Sequence, residues 1–260
     1  MSETDILLSA DKAGVRTLTL NRPAARNALS VGMIAALQAA IDAAKEDKAV
    51  KVLVIAANGP AFCAGHDLKE VRSNTSVAAY EALFAQCSAL MTSIVRLPKP
   101  VIAKVHAMAT AAGCQLVASC DLAVAANVAK FATPGVNIGL FCSTPMVALS
   151  RVVPRKKAME MLLTGVPASA EEALAFGLVN KVVAPAALDA VVAELAEGIA
   201  AKSPYALAIG KEAFYRQIEM DLDAAYQYAN AVMVKNMQAA DAAEGIDAFI
   251  CKREPVWKGC

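Results

Sequence analysis

The sequence is poor in the residues on which most metal and nucleophile sites depend. Its 260 residues include two histidines, His66 and His106, and one tryptophan, and aromatics make up only 5%. A histidine-dependent triad must therefore use His66 or His106. His106 lies in the apolar run from Val101 to Ala109, where it reads as a hydrogen-bonded structural residue. The seven cysteines, at 63, 87, 114, 120, 142, 251 and 260, are odd in number and form no C-x-x-C pair. That pattern favours neither disulfides nor structural zinc, so no metal site is expected.

Other absences narrow the chemistry further. There is no G-x-G-x-x-G after a strand, no Walker loop, no H-E-x-x-H and no G-x-S-x-G elbow, which removes the usual support for nicotinamide, nucleotide and zinc chemistry. Charge of one sign is also missing. The 25 basic and 24 acidic side chains leave a net charge of +1, so neither nucleic acid nor a membrane surface is expected as a partner. The longest apolar stretch, Val101 to Ala129, is interrupted by Lys104, His106, Gln115 and Asp121, which argues against a spanning helix. Met1 to Ala10 carries Glu3 and Asp5 and has no basic start followed by an apolar run. No signal peptide is read there, and the chain is expected in the cytoplasm.

What is present is apolar residue in quantity, 57% of the chain, suited to a core of Ala, Val, Leu and Ile. Thr17 to Leu20 reads as a strand ending at Asn21-Arg22-Pro23, and Ser30 as the N-cap of a helix to about Lys48. Val50 to Ala57 and Val101 to Ala109 read as strands buried on both faces, with a helix from about Val77 to Arg96 between them. Leu122 to Ala126 adds a third buried run. Strand and helix alternate, so the fold class is α/β. From Pro154 the pattern turns helical: 155–163, 169–176, 188–201, 204–217, 221–237 and 242–252. Ser169 and Glu172 form a capping box. A soft boundary near residue 200 divides a core, 1–200, from a helical region, 201–260.

Two loops of small residues follow buried runs. They are Phe62-Cys63-Ala64-Gly65-His66-Asp67-Leu68 and Ala109-Thr110-Ala111-Ala112-Gly113-Cys114-Gln115-Leu116. Small residues let a ligand approach backbone N–H groups, and the second loop opens a helix whose first N–H groups lack intrahelical acceptors. Such donors suit an enolate or tetrahedral oxyanion, each being worth about 2.7 to 4 kcal/mol in a transition state. Either segment alone is better read as tight strand–helix packing.

Together with their surroundings these segments resemble the enoyl-CoA hydratase/isomerase, or crotonase, superfamily. The resemblance runs in order through Leu18-Thr19-Leu20-Asn21-Arg22-Pro23, Asn27-Ala28-Leu29, both loops, Lys99 to Ala103, Cys120-Asp121 and Phe131-Ala132-Thr133-Pro134. It continues through Ile138-Gly139 and Ala173 to Val179 and closes at Phe249 to Trp257. It implies a spiral of strand-strand-helix turns followed by a C-terminal helical region that builds a trimer or a dimer of trimers. It also implies an acyl-CoA thioester as ligand, with coenzyme A part of the substrate and no separate cofactor.

By the same resemblance the backbone N–H groups of His66 and Ala112 form the oxyanion hole. Ala25, Arg26, Ala64 and Leu68 should line the adenine and phosphate region, and Lys252 of a neighbouring subunit should approach the CoA phosphates. For Arg26 and Lys252 an ordinary solvated charge is the alternative. The two glutamates of hydratases fall at Gln115 and Gly135. Glutamine exchanges no proton near neutral pH and glycine has no side chain, so ordinary alkene hydration should be crippled. Gln115 can still orient a group by hydrogen bonding, and Gly135 should leave room beside the thioester. Restoring both glutamates should raise crotonyl-CoA hydration.

In dehalogenase and decarboxylase relatives a functional side chain sits just beyond the Ile-Gly pair, which points to Cys142 and Ser143. The His66 imidazole is then a candidate base. Against this, buried cysteine is usually packing, and Ser143 can serve as a helix cap. The stretch from Gly113 through Arg155 is most similar to the enoyl-CoA hydratase domain-containing branch, whose mammalian members are mitochondrial. The sequence thus leads to an acyl-CoA lyase, isomerase or hydrolase, with isomerase, decarboxylase or thioesterase chemistry as alternatives to hydration. A non-catalytic acyl-CoA-binding protein is the other reading.

Overall fold

The computed structural model describes residues 5–260, so the first part of the segment read for a targeting signal lies outside the described residues. The chain begins with an antiparallel pair, β1 (Leu7–Lys12) and β2 (Val15–Leu20), followed by α1 (Val31–Glu46). The Ser30 side chain accepts the Met33 N–H at 3.1 Å and caps α1, which buries Met33, Ile34, Leu37, Ile41 and Ala44 along one face.

Three strand-strand-helix turns follow. The first is β3 (Val52–Ala57), β4 (Ala61–Cys63), a short α2 (Leu68–Ser73) and α3 (Val77–Arg96). The second is β5 (Val101–Val105), β6 (Met108–Thr110) and α4 (Ala112–Ser119). The third is β7 (Leu122–Ala126), β8 (Lys130–Ala132), α5 (Ser143–Val152) and α6 (Arg155–Thr164). The first strand of each turn joins a six-stranded sheet in the order β1-β2-β3-β5-β7-β10, where β10 is Lys181–Val183. The second joins a smaller sheet, β4-β6-β8-β9, where β9 is Ala168–Ser169. All pairings are parallel except β1 with β2 and β8 with β9.

This repetition puts the loops after β4 and β6 side by side, because the two strands pair with Cys63 opposite Ala109. The large sheet is covered on both faces. Leu53 and Ile55 point into the core shared with α1 and α3, while Val52 and Val54 pack with Val192 and Ala196 of α8 (Leu188–Ala200). Successive side chains of a strand alternate faces, so an almost wholly apolar strand serves two cores at once. α3 is long and apolar enough to cross a membrane, yet it buries Leu83, Cys87, Leu90, Met91 and Ile94 in this core. α4 lies wholly inside, with all eight residues buried.

α7 (Ala170–Ala175) carries the Ser169/Glu172 capping box. The chain closes with α9 (Pro204–Gln217), α10 (Leu222–Met237) and α11 (Ala240–Ile250). Neither α9 nor α10 buries a residue, and Phe214, Leu222, Tyr226, Met233 and Phe249 are exposed. α9 is nevertheless tied to the body. Lys211 donates to Asp121 Oδ2 (2.6 Å) and to the Ile94 and Lys99 carbonyls (both 3.0 Å), and Tyr215 donates to Asp121 Oδ1 (2.9 Å).

Candidate active site

The first loop is held by an amide wedged beneath it. Asn27, fully buried, accepts the Arg22 N–H (2.8 Å) and donates to the carbonyls of Asn58 (2.7 Å) and Ala61 (2.8 Å). Arg22 in turn donates to the Ala28 carbonyl (3.0 Å) and to Asp67 Oδ2 (3.1 Å). Burial pushes the Asp67 carboxyl up, but Arg22 and the Glu70 and Lys69 N–H groups outweigh it and hold it below its ordinary value. Asp67 thereby caps α2 as an anion.

The strap at Leu29 decides what happens to His66. Leu29 donates to the Gly65 carbonyl (2.7 Å) and accepts the Asp67 N–H (3.2 Å), so its two bonds fall on either side of His66. The His66 N–H is turned away from that bridge and has no backbone acceptor among the described residues. In the second loop, Ala111 donates to the Ala132 carbonyl (2.9 Å), and the Ala112 N–H, first in α4, likewise has no acceptor.

The two loops abut. Gly65 has φ +87°, and a Cβ there would sit 2.9 Å from the Ala111 Cβ and 3.3 Å from the Ala112 nitrogen. A Cβ on Gly113 would collide with the Cys63 carbonyl. Glycine is thus required at both positions for the backbones to meet. Ala111 shows what the meeting costs: it adopts φ 50°, ψ −119°, a conformation unfavourable to any residue with a side chain. The outcome is two unpartnered N–H donors, His66 and Ala112, on touching loops, one of them at the positive end of a buried helix.

Around them lie side chains with little acid–base capacity. Gln115 is 4% exposed, and its Oε1 has no partner. Both ring nitrogens of His66 are buried without partners of hydrogen-bonding geometry, and the ring meets Phe84 of α3 edge-on at 5.6 Å. Burial holds the imidazole pKa below its ordinary value, against the pull of the Leu29 backbone and the Glu70 carboxylate, which favours the neutral ring.

Gly135 differs from expectation. It leaves no room: a Cβ would stand 2.7 Å from the Leu140 carbonyl and 2.9 Å from Cys142 Sγ. The segment beyond Ile138-Gly139 folds back and fills the place of a side chain. Cys142 is accordingly buried, and its thiol pKa is pushed up by burial, with Gly135's backbone pulling the other way. Ser143 is exposed, the first residue of α5 rather than its cap, and its hydroxyl leans at 3.4 Å on the Phe141 carbonyl.

The residues expected around CoA form one neighbourhood in part. Ala25 and Arg26 occupy a 3-10 turn, Pro23–Ala25, and its cap, and the Arg26 carbonyl accepts the Ala64 N–H (3.1 Å). Arg26 is exposed, and Leu68 is 50% exposed at the start of α2. Lys252 is exposed just beyond α11. His106 bonds the Gly59 carbonyl at 2.8 Å, a structural contact. Sequence reasoning did not single out Thr133 or Phe84. Thr133 is fully buried with an unpartnered Oγ1, and it directly follows Ala132, whose carbonyl accepts the Ala111 N–H.

Comparison with known proteins identifies the family. Residues 10–260 match the family described as Enoyl-CoA hydratase/isomerase. The chain belongs to that family. A solved structure of enoyl-CoA hydratase from Mycobacterium smegmatis is similar at 56% identity and TM-score 0.95, over 98% of this chain and 99% of that one. The solved structure of human enoyl-CoA hydratase domain-containing protein 3 is similar at 48% identity and TM-score 0.93, over 97% and 100%. The mitochondrial protein of the same name from Rattus norvegicus is 48% identical over 98% of this chain and 85% of its own length. The family and the domain-containing branch are therefore those the sequence resembles, and the spiral α/β fold is the family's. The cytoplasmic expectation is corrected: the rat, mouse and human relatives are named as mitochondrial. A missing basic start could not settle the compartment.

Proposed function

We propose that the chain binds an acyl-CoA thioester and polarises its carbonyl between the N–H groups of His66 and Ala112. The observation that carries this reading is the pair of unpartnered backbone donors on loops that touch at Gly65. Fixed donors of this kind stabilise charge that develops on a thioester oxygen without having to reorganise. Ala25, Arg26, Ala64 and Leu68, with Lys252 of a neighbouring subunit, are the proposed CoA contacts. The exposed apolar faces of α9, α10 and α11 favour self-association, proposed as a trimer or a dimer of trimers.

Two-carboxylate hydration is not part of the proposal. The second reading, a binding protein without turnover, is favoured by the same surroundings: Cys142 is a buried thiol with a raised pKa, Ser143 is exposed, and the His66 ring nitrogens have no side-chain partner among the described residues. A mass-spectrometric screen against varied acyl-CoAs, run beside calorimetric binding, tests both. Product formation supports oxyanion-stabilised catalysis, and binding without product supports the second reading. Failure to bind any acyl-CoA overturns both.

A further inference from the structure

The chain holds nine asparagines, and one of them, Asn58, precedes a glycine. Asn58 and Gly59 lie in the turn that joins β3 to β4, and both are exposed. The main-chain polar groups of the pair are engaged, with one exception. The Asn58 N–H donates to the Leu20 carbonyl (3.0 Å), the Asn58 carbonyl accepts from Asn27 Nδ2 (2.7 Å), and the Gly59 carbonyl meets His106 Nε2 (2.8 Å). The Gly59 N–H has no acceptor among the described residues. Gly59 has φ +85°, and a Cβ there would collide with Pro23, so the packing favours glycine at this position.

We infer that Asn58 is a site of covalent self-modification, at which the Gly59 nitrogen closes on the Asn58 carboxamide and water takes the place of its ammonia. The inference stands apart from the acyl-CoA reading. The Gly59 nitrogen lies at the spacing that closes a succinimide ring on Asn58 Cγ, and no Cβ on Gly59 hinders the approach. The Asn27 bond draws electron density from the Asn58 carbonyl and so makes the Gly59 N–H a better acid. Asn58 Nδ2 donates to Asn21 Oδ1 (3.0 Å), while Asn58 Oδ1 has no partner among the described residues.

Water is the only co-reactant. Gly59 gives its proton to hydroxide and bonds to Cγ, and the Cγ–Nδ2 bond breaks as ammonia leaves with a proton from water. A second water then opens the ring. Attack at Cγ gives aspartate on an unchanged main chain; attack at the former Asn58 carbonyl gives isoaspartate, with the main chain rerouted through Cβ and Cγ. Either product adds one negative charge to a chain of net charge +1. Isoaspartate reaches further. The fully buried Asn27 clasps the carbonyls of Asn58 and Ala61 together, at 2.7 and 2.8 Å. Isoaspartate takes the first carbonyl out of the main chain and lengthens that chain by one methylene, in a turn closed by Pro23. The clasp then opens where β4 begins, and β4 leads directly into the first loop.

Incubation of the full chain, folded and in urea, at mildly alkaline pH tests this, with peptide mapping that separates aspartate from isoaspartate. In the folded chain Asn58 should react about tenfold or more faster than any other asparagine, the ratio that one small difference in barrier supplies. Asn58→Gln, whose longer side chain does not close that ring, should stay unmodified at this position. In the isoaspartyl fraction the amides of Ala64 and Asp67, bonded to the Arg26 and Leu29 carbonyls, should exchange hydrogen about tenfold or more faster, in line with the loss of one buried pairing. Asn58→Asp, which keeps the main chain, should leave that exchange unchanged and so separates the rerouted chain from the added charge. An Asn58 that reacts in urea but persists in the folded chain overturns the inference. So does an isoaspartyl fraction whose Ala64 and Asp67 exchange as before. If either variant does not fold, the wild-type rates and the exchange of the isoaspartyl fraction decide.

Discussion

Two buried polar clusters in this chain contrast in one respect. Around Asp121, the side chains are paired with one another and with the backbone: its oxygens accept from the Val101 N–H, Lys211 and Tyr215, and Lys211 spends its remaining donors on two carbonyls. Around Ala111, four side-chain atoms and two backbone N–H groups have none among the described residues. The first cluster joins α9 to β5 and the end of α3 and is complete in the free chain. The second spends stability on groups that the chain itself leaves unpaired, which is where function is expected. The difference teaches that burial of polar atoms is not itself the mark of a site; several neighbouring atoms that lack partners are a better one.

The largest effect should come from breaking the satisfied cluster. Asp121→Ala leaves the Lys211 ammonium, whose side chain is 8% exposed, without its counter-charge, and should cost about 3 to 5 kcal/mol in urea unfolding. A loss below about 1 kcal/mol, the value of an exposed pair, would remove the contrast. Next comes Gly135→Glu in a Gln115→Glu background. The Leu140 carbonyl and Cys142 Sγ occupy the new Cβ position, so overpacking should cost about 1 to 3 kcal/mol, and crotonyl-CoA hydration should stay far below that of a two-glutamate hydratase. Efficient hydration by this variant would show that the folded-back segment yields readily. In the unsatisfied cluster the sign reverses. Thr133→Val removes a fully buried hydroxyl with no partner and should raise stability by about 1 kcal/mol. A drop in melting temperature instead would mean that the hydroxyl is paired in solution.

Much of this was legible in the sequence, and the reason is physical. Elements long enough to show a period were read closely: the helix expected at 77–96 is Val77–Arg96, and the run at 122–126 is a strand. The strands of the small sheet, three residues or fewer, were missed, since Ala61–Cys63 and Lys130–Ala132 are too short to alternate visibly. The apolar run 101–109 was read as one strand but bends between β5 and β6 at His106-Ala107, where the chain passes from one sheet to the other. At the site, small residues announced the loops because close backbone approach excludes side chains. What filled the space of the missing Gly135 side chain could not be read, because it depends on how the tertiary structure folds Leu140 to Cys142 back onto it. Thr133 stood in a quoted motif without notice, since only the structure reveals that its hydroxyl lacks a partner.

The smallest expected effect is a pH dependence that isolates the His66 ring. Its pKa lies below the ordinary 6.5, chiefly through burial, so below pH 6.5 the unfolded chain binds a proton that the folded chain resists. Stability is unaffected by this group above pH 6.5, declines as the pH falls through that value, and levels once the folded-state pKa is passed. The carboxylates with lowered pKa, such as Asp67 and Glu244, ordinarily titrate at 3.8 and 4.5, so their contribution is lost only at lower pH. Between pH 6.5 and about 5 the two contributions therefore separate, and unfolding free energy should fall by no more than about 1.4 kcal/mol per pH unit for a single proton. His66→Phe should flatten that slope, whatever it does to the plateau. An unchanged slope in the variant would show that the imidazole takes up its proton in the folded chain as readily as in the unfolded one, and with it the distinction between a satisfied and an unsatisfied cluster would fail at His66.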